Sequence, residues 1–254
     1  MGLEYARRRE LKALLEAEGY GVIPNDQYRI DMEPEFRSLW DEIREYTMTG
    51  MERGYGLYQA VRYLEARGVK GDFVECGVWK GGSCMLMMRT LQQLGRERRV
   101  WLYDTYSGMP EPGDEDIIAW NRLPVQKKLE EDVRKGKESF AHWAVGLSRV
   151  RANIALTDYP DTLTRYVPGD VAETVLHEAP ERIALLRLDT DWYASTLAEL
   201  EHLYPLLEEG GVLIIDDYGH FEGARRAVDE YFARPGVRPI LFSRLDYTGR
   251  MGVK

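Results

Sequence analysis

Two adjacent carboxylates, Asp216 and Asp217, follow the aliphatic run "GGVLII", and two more, Asp189 and Asp191, follow "IALLRL". Like charges at the end of apolar strands repel, and in a partly buried place the repulsion raises the pKa of at least one of them. A hard divalent cation removes that cost. Oxygen ligation with no cysteine nearby suits magnesium, with manganese or calcium as substitutes, and does not suit zinc. One of the pair could instead cap the following helix, because aspartate is a favoured cap. A second chemical feature is "ECGVWKGGS", residues 75 to 83, in which Glu75 precedes Gly77, Gly81 and Gly82. Such glycines let the chain turn sharply and let a ligand approach the backbone where a helix begins. The spacing differs from the GxGxxG dinucleotide pattern. An acid at this point repels a pyrophosphate but attracts a cationic ligand such as the amino group of S-adenosylmethionine. Asp104, which ends the next apolar run "VWLYD", can accept both ribose hydroxyls of a nucleoside.

These residues need a scaffold that brings them together. From residue 71 onward, "DFVECG", "VWLYD", "NIALTD", "IALLRLD" and "GVLIID" alternate with helical segments, which reads as repeated βαβ units around a parallel sheet. Nearly every run ends in an acid: Glu75, Asp104, Asp158, Asp189, Asp216. Ligands of open α/β sheets bind outside the carboxyl ends of the strands, so these acids are expected along one edge, lining the site. The first 70 residues read as mostly helical. Leu3, Leu11, Leu14 and Leu15 mark one helix, and Phe36, Leu39, Trp40 and Ile43 a second. A third, over residues 55 to 67, turns Leu57, Val61 and Leu64 inward and stops at Gly68.

Composition bounds the rest. A chain of 254 residues, 44% of them hydrophobic, can bury one substantial core. A net charge of −9, with basic residues dispersed among acidic ones, argues against nucleic acid or an anionic membrane as partner. Cys76 and Cys84 show neither CxxC spacing nor a Cys/His cluster, so no disulfide framework or zinc site is expected. With no apolar leader and no run of membrane-spanning length, the expectation is a cytoplasmic protein.

The motifs "YTMTGMERGYGLYQAVRYL", "GDFVECGVWKGGSC", "VWLYDTYSGMPEP", "LLRLDTDWYASTLAELEHLYPLLEEGGVLIIDDYG" and "LDYTGR", in this order over roughly residues 46 to 252, resemble the macrocin O-methyltransferase family. Its members are magnesium-dependent enzymes that use S-adenosylmethionine to methylate sugar hydroxyls of natural products. The resemblance implies a Rossmann-like class I methyltransferase fold: a seven-stranded, mostly parallel sheet flanked by helices, with an antiparallel last strand near residues 249 to 254. It also implies roles. Thr47 and Met48 would close over the cofactor, Glu75 and Gly77 hold its methionine part with Ser83 close by, Asp104 take the ribose, and Ser107 lie on the adenine side. Asp189, Asp216 and Asp217 would hold the metal. Asp191 would be the base that takes the proton of the acceptor hydroxyl, with His220 as a rival because imidazole titrates near neutral pH.

The organisation expected is an N-terminal helical extension or lid over residues 1 to 70 and a methyltransferase domain over 71 to 254, with a lid-like insertion at 114 to 150. In that insertion Trp120, Phe140 and Trp143 could stack on a sugar or aglycone, or pack within a helix. The partner expected is a small-molecule glycoside, and the assembly a homo-oligomer. The chain departs from the family pattern at "RYVPGDVAETV" and at "DTDWY", so the acceptor pocket has its own shape. A catechol acceptor is the alternative within the same chemistry, because its vicinal oxygens bind a metal equally well. From other classes, paired strand-end aspartates also serve metal-dependent phosphohydrolases, and a silent cofactor-binding protein would need neither Asp189 nor metal.

Overall fold

The periodicity changes at residue 71 because the chain there enters a sheet. A computed structural model describes residues 2–21, 29–136 and 144–254. They fall into two compact units, Met1–Arg37 and Ser38–Lys254. The first carries the helix Gly2–Ala17, on which Leu11 and Leu14 are exposed. The second contains the sheet, its flanking helices and the cavity described below. The helix Met51–Arg67 begins four residues before the expected 55 and stops at Gly68, whose φ of 64° is left-handed. It packs on the sheet and against the helix Gly82–Gln93, so it belongs to the body of this unit.

In chain order the strands are β1 (Asp72–Cys76), β2 (Val100–Asp104), β3 (Ile117–Ile118), β4 (Leu123–Pro124), β5 (Thr164–Pro168), β6 (Ile183–Leu188), β7 (Leu207–Ile215), β8 (Phe242–Arg244) and β9 (Arg250–Val253). Seven of them form one sheet in the order β5-β2-β1-β6-β7-β9-β8, and β3 with β4 forms a separate hairpin. Pairing is parallel from β5 through β7, and β9 runs antiparallel to both of its neighbours. This is the α/β class I methyltransferase arrangement that the motifs implied.

One expected strand is absent. "NIALTD" lies in the helix Leu147–Ala155 and the turn after it, and the edge strand is the later "TRYVP". Val150 and Ile154 are buried one helical turn apart, but Val150 lies outside "NIALTD", and six residues alone fit a helical turn as well as a strand. Asp158 therefore does not join the acids at the sheet edge; it sits in the turn at a φ of 54°.

Register decides which side chains meet. Leu188 lies opposite both Cys76 and Ile215, so Asp189 and Asp216, the next residues, leave the sheet side by side. Glu75 lies opposite Arg187. Because side chains alternate along a strand, Arg187 and Asp189 share a face, as do Ile214 and Asp216. Cys76 and Cys84 are buried free thiols. Among the described residues no helix is long and apolar enough to cross a membrane.

Candidate active site

A cavity of about 580 Å³ opens at the carboxyl ends of β1, β2, β6 and β7. Its walls include Thr47, Met48, Glu75, Gly77, Ser83, Asp104, Asp189, Asp191, Asp216, Asp217, Trp120 and His220. The structure thus gathers eleven residues singled out in the sequence, together with His220, around one space. Ser107 is exposed and lies outside this wall, although its neighbours Thr105 and Gly108 line it. Phe140 and Trp143 lie outside the described residues.

The glycines act through close approach. A Cβ on Gly77, whose φ is 82°, would stand 1.9 Å from the Asp189 carbonyl oxygen. One on Gly82 would stand 2.6 Å from the Tyr46 carbonyl, so the segment carrying Thr47 and Met48 lies directly on the start of the helix Gly82–Gln93. Asp104 fastens the same turn: its Oδ2 accepts from the Val78 and Trp79 amides at 2.7 and 3.0 Å, and its Oδ1 from the Tyr106 amide at 2.7 Å. That uses three of roughly four acceptor positions on a carboxylate and leaves room for one ribose hydroxyl.

Beneath the cavity is a buried ionic cluster. Glu75, 1% exposed, pairs with Arg187 and accepts from the Cys84 thiol. Burial pushes Glu75 up to about 7, against the opposing pull of Arg187. Arg187 also reaches Asp189 at 2.7 Å, Thr49 Oγ1 at 2.7 Å, and Asp216. Its burial disfavours the charge, but Asp189 and Glu75 more than offset this, and the guanidinium stays protonated. Arg53 approaches the other oxygen of Asp216 and also donates to Asp246 at 2.9 Å.

Among the described residues, Asp189, Asp216 and Asp217 form a group whose ligand-capable oxygens all lie within 4.8 Å of one another. Asp217 Oδ2 is buried and has no hydrogen-bond partner among the described residues. Burial and the nearby Asp189 push Asp217 up to about 7, although Arg53 and Arg187 oppose the shift. An orphaned carboxylate oxygen facing two further acids, all donors being oxygen, is a set that fits a hard divalent cation. Asp216 Oδ1 accepts from both Arg187 and the Thr49 hydroxyl, whereas Oδ2 accepts from Arg53 alone and keeps a lone pair that can reach a cation. The capping alternative does not hold: the helix Glu222–Phe232 begins at Phe221 without a side-chain cap.

Asp191 stands in the turn after β6 at a φ of 67°, a left-handed conformation that aspartate tolerates better than most residues. Trp192 locks this turn, its amide donating to the Thr190 carbonyl at 2.7 Å and its indole to the Pro110 carbonyl at 3.0 Å. From below, Glu199, buried and therefore held well above the usual carboxylate range, accepts from the Thr190 hydroxyl at 2.9 Å. Burial, followed by the charges of Asp217 and Asp189, raises Asp191 well above its ordinary value.

In the same cavity, His220 Nδ1 is 2.9 Å from the Tyr247 hydroxyl, and its ring meets Trp120 edge-on at 4.5 Å. Burial and Arg53 lower its pKa, which leaves a neutral imidazole. Trp120, 63% exposed, is carried by the β3–β4 hairpin, which docks on the body through the Ile118–Phe221 bridge.

Sequence reasoning passed over Arg53, Thr49, Arg187 and Glu199. The last two carried a signal, since a charge inside "IALLRLD" or within the apolar spacing of "STLAELEHL" is out of pattern for a buried segment. Arg53 and Thr49 carried none, because the strand-end and loop partners they meet are over 130 residues away in sequence.

The sequence profile described as macrocin-O-methyltransferase (TylF) matches residues 31–251. The Streptomyces olivaceus 8-demethyl-8-(2,3-dimethoxy-alpha-L-rhamnosyl)-tetracenomycin-C 4'-O-methyltransferase is 37% identical over 211 residues, 83% of this chain and 76% of that protein. Mycinamicin III 3''-O-methyltransferase of Micromonospora griseorubida is 34% identical over 193 residues, 76% of this chain and 72% of that one. The solved structure of the O-methyltransferase NovP superposes with a TM-score of 0.69 at 32% identity, covering 82% of each chain. Calicheamicin methyltransferase CalS11, at 16% identity and a TM-score of 0.60, shares the fold.

Proposed function

Because the chain belongs to the macrocin O-methyltransferase family, we propose that it methylates a sugar hydroxyl of a natural-product glycoside, using S-adenosylmethionine and a divalent cation, magnesium. The observation that carries the metal part of this reading is the group Asp189, Asp216 and Asp217, with Asp217 Oδ2 buried and unpartnered, in the wall of the same cavity as the glycine turn. Relatives named as methyltransferases of rhamnosyl and mycinamicin substrates support the acceptor class.

In this reading the cofactor lies between the Thr47–Met48 segment and the Gly77 turn, with Glu75 and Ser83 on its methionine side and Asp104 toward its ribose. Asp189, Asp216 and Asp217 hold the cation. When bound, S-adenosylmethionine supplies an activated methyl group, and the cation supplies Lewis acidity toward neighbouring hydroxyls of the acceptor. The chain's own residues do the rest. Asp191 takes the hydroxyl proton on its carboxylate as the new O–CH3 bond forms and the S–CH3 bond breaks. A general base works best when its pKa lies near the working pH, and burial moves Asp191 upward from the ordinary carboxylate range in that direction. Trp120, His220 and Tyr247 form the acceptor wall, and the hairpin that carries Trp120 helps exclude water.

The test is incubation with S-adenosylmethionine, magnesium and a panel of glycosides bearing free vicinal hydroxyls, read by mass spectrometry. A methyl gain on the sugar fragment that EDTA abolishes and magnesium restores is expected. Methylation of catechols alone would sink the sugar reading, and full activity in EDTA would sink the metal.

A further inference from the structure

Arg187 is the fifth residue of a six-residue strand in which every residue is buried, and it is itself 1% exposed. An arginine in such a place must be fully paired, because an isolated buried charge is costly. Its pairing is unusually wide. Nη1 reaches Glu75 on β1 and Asp189 beyond β6, while Nη2 reaches Thr49 on the loop before the helix Met51–Arg67 and Asp216 beyond β7. One cation serves three carboxylates from three neighbouring strands.

Those partners belong to two different parts of the cavity. In the proposed function, on which this inference rests, Glu75 and the Thr47–Thr49 segment border the cofactor, whereas Asp189 and Asp216 hold the cation. We propose that Arg187 is a positioning residue that couples the two sites, so that S-adenosylmethionine or its product and the divalent cation bind with positive cooperativity. The guanidinium is planar and its donors are set in a rigid fork. Glu75 and Asp216 therefore cannot shift independently while both are bonded to it. A ligand that draws Glu75 or Asp216 into its own geometry also sets the position of the other carboxylate, through the guanidinium that holds both. Thr49 strengthens the link, because its hydroxyl accepts from Arg187 Nη2 and contacts Asp216 Oδ1 at 3.3 Å. Coupling between sites is reciprocal, so the same factor must be found from either direction.

Two titrations measure it. S-adenosylhomocysteine binding is followed by calorimetry in EDTA and in saturating magnesium, and manganese binding by electron paramagnetic resonance with and without S-adenosylhomocysteine. In the unsubstituted protein each ligand is expected to tighten the other about 5-fold or more. Arg187→Lys keeps a positive charge but loses the fork, and is expected to bind S-adenosylhomocysteine as the metal-free protein does, with the coupling factor reduced to about 1. If Arg187→Lys does not fold, Thr49→Val removes the bridging hydroxyl from a partly independent position and is expected to lower the factor at least 2-fold, roughly. A residue that served stability alone would lower Tm and leave the factor unchanged, and that result overturns the proposal. So does independent binding of the two ligands to the unsubstituted protein. Failure of that protein to bind S-adenosylhomocysteine or manganese at all would instead overturn the functional reading beneath it.

Discussion

Asp191 concentrates most of the chemistry assigned to one residue. Its left-handed turn, locked by Trp192 and supported by Glu199 through Thr190, aims a carboxyl of raised pKa at the cavity that Asp217 also faces. Asparagine tolerates the same backbone region and keeps the shape, but cannot take a proton. Asp191→Asn is therefore expected to lower kcat by roughly 100-fold or more, in keeping with the usual contribution of a general base, while S-adenosylhomocysteine affinity stays as it was. Stopped-flow or steady-state kinetics beside calorimetry would show this. Turnover at the original rate would remove Asp191 as the base and return attention to His220, which lines the same cavity and whose pKa burial and Arg53 lower. The pair Asp216–Asp217 is also clarified at this scale. Asp216 is bound up with Arg187 and Arg53, whereas Asp217 offers the free oxygen.

At the scale of elements, the contact between β1 and the turn after β6 positions the site. Gly77 leaves β1 so close to Asp189 that any side chain would collide with its carbonyl oxygen. Gly77→Ala combines that collision with a left-handed backbone, which alone costs about 1–2 kcal/mol. Gly95, at a φ of 62° and with open space where a Cβ would stand, isolates the backbone contribution. Thermal unfolding should show Gly77→Ala losing several degrees of Tm more than Gly95→Ala, and should show its metal affinity weakened because Asp189 is displaced. Equal losses would mean that β1 can move away without consequence. Strand identities were legible where buried apolar residues make up most of the strand, as in "DFVECG" and "GVLIID". "NIALTD" failed because a short apolar stretch fits one helical turn as well as a strand.

For the molecule as a whole, the buried acids link stability to pH and to the cation. Glu75 and Asp217 each rise to about 7 in the folded protein, chiefly through burial, from ordinary values near 4. A carboxyl with a raised folded pKa binds its proton more tightly when folded. Its contribution to stability is complete below about pH 4 and is lost as pH rises through about 7, at about 1.4 kcal/mol for each pH unit that separates the folded from the unfolded value. Tm in EDTA should therefore fall between pH 5 and 8, and saturating magnesium should remove much of that fall by stabilising the ionised acids; calorimetric scans at both conditions would check it. A Tm in EDTA that climbs across this window would contradict the account. The linear chain determined the sheet's strand-end acids, the glycine turn and the oxygen-only donor set, since these follow from local periodicity and residue chemistry. Tertiary structure alone decided that Arg187 stands opposite Glu75, that Arg53 crosses to Asp216, and that Asp104 spends most of its acceptors on the turn at Val78 and Trp79. Arg53 is placed by the packing of its helix on the sheet, and the Asp104 contacts by the fold of the loop after β1. For Arg187 and Glu75 the physical reason is register: pairing of β1 with β6 brings together residues 112 positions apart, and a shift of one residue would turn either side chain to the other face of the sheet.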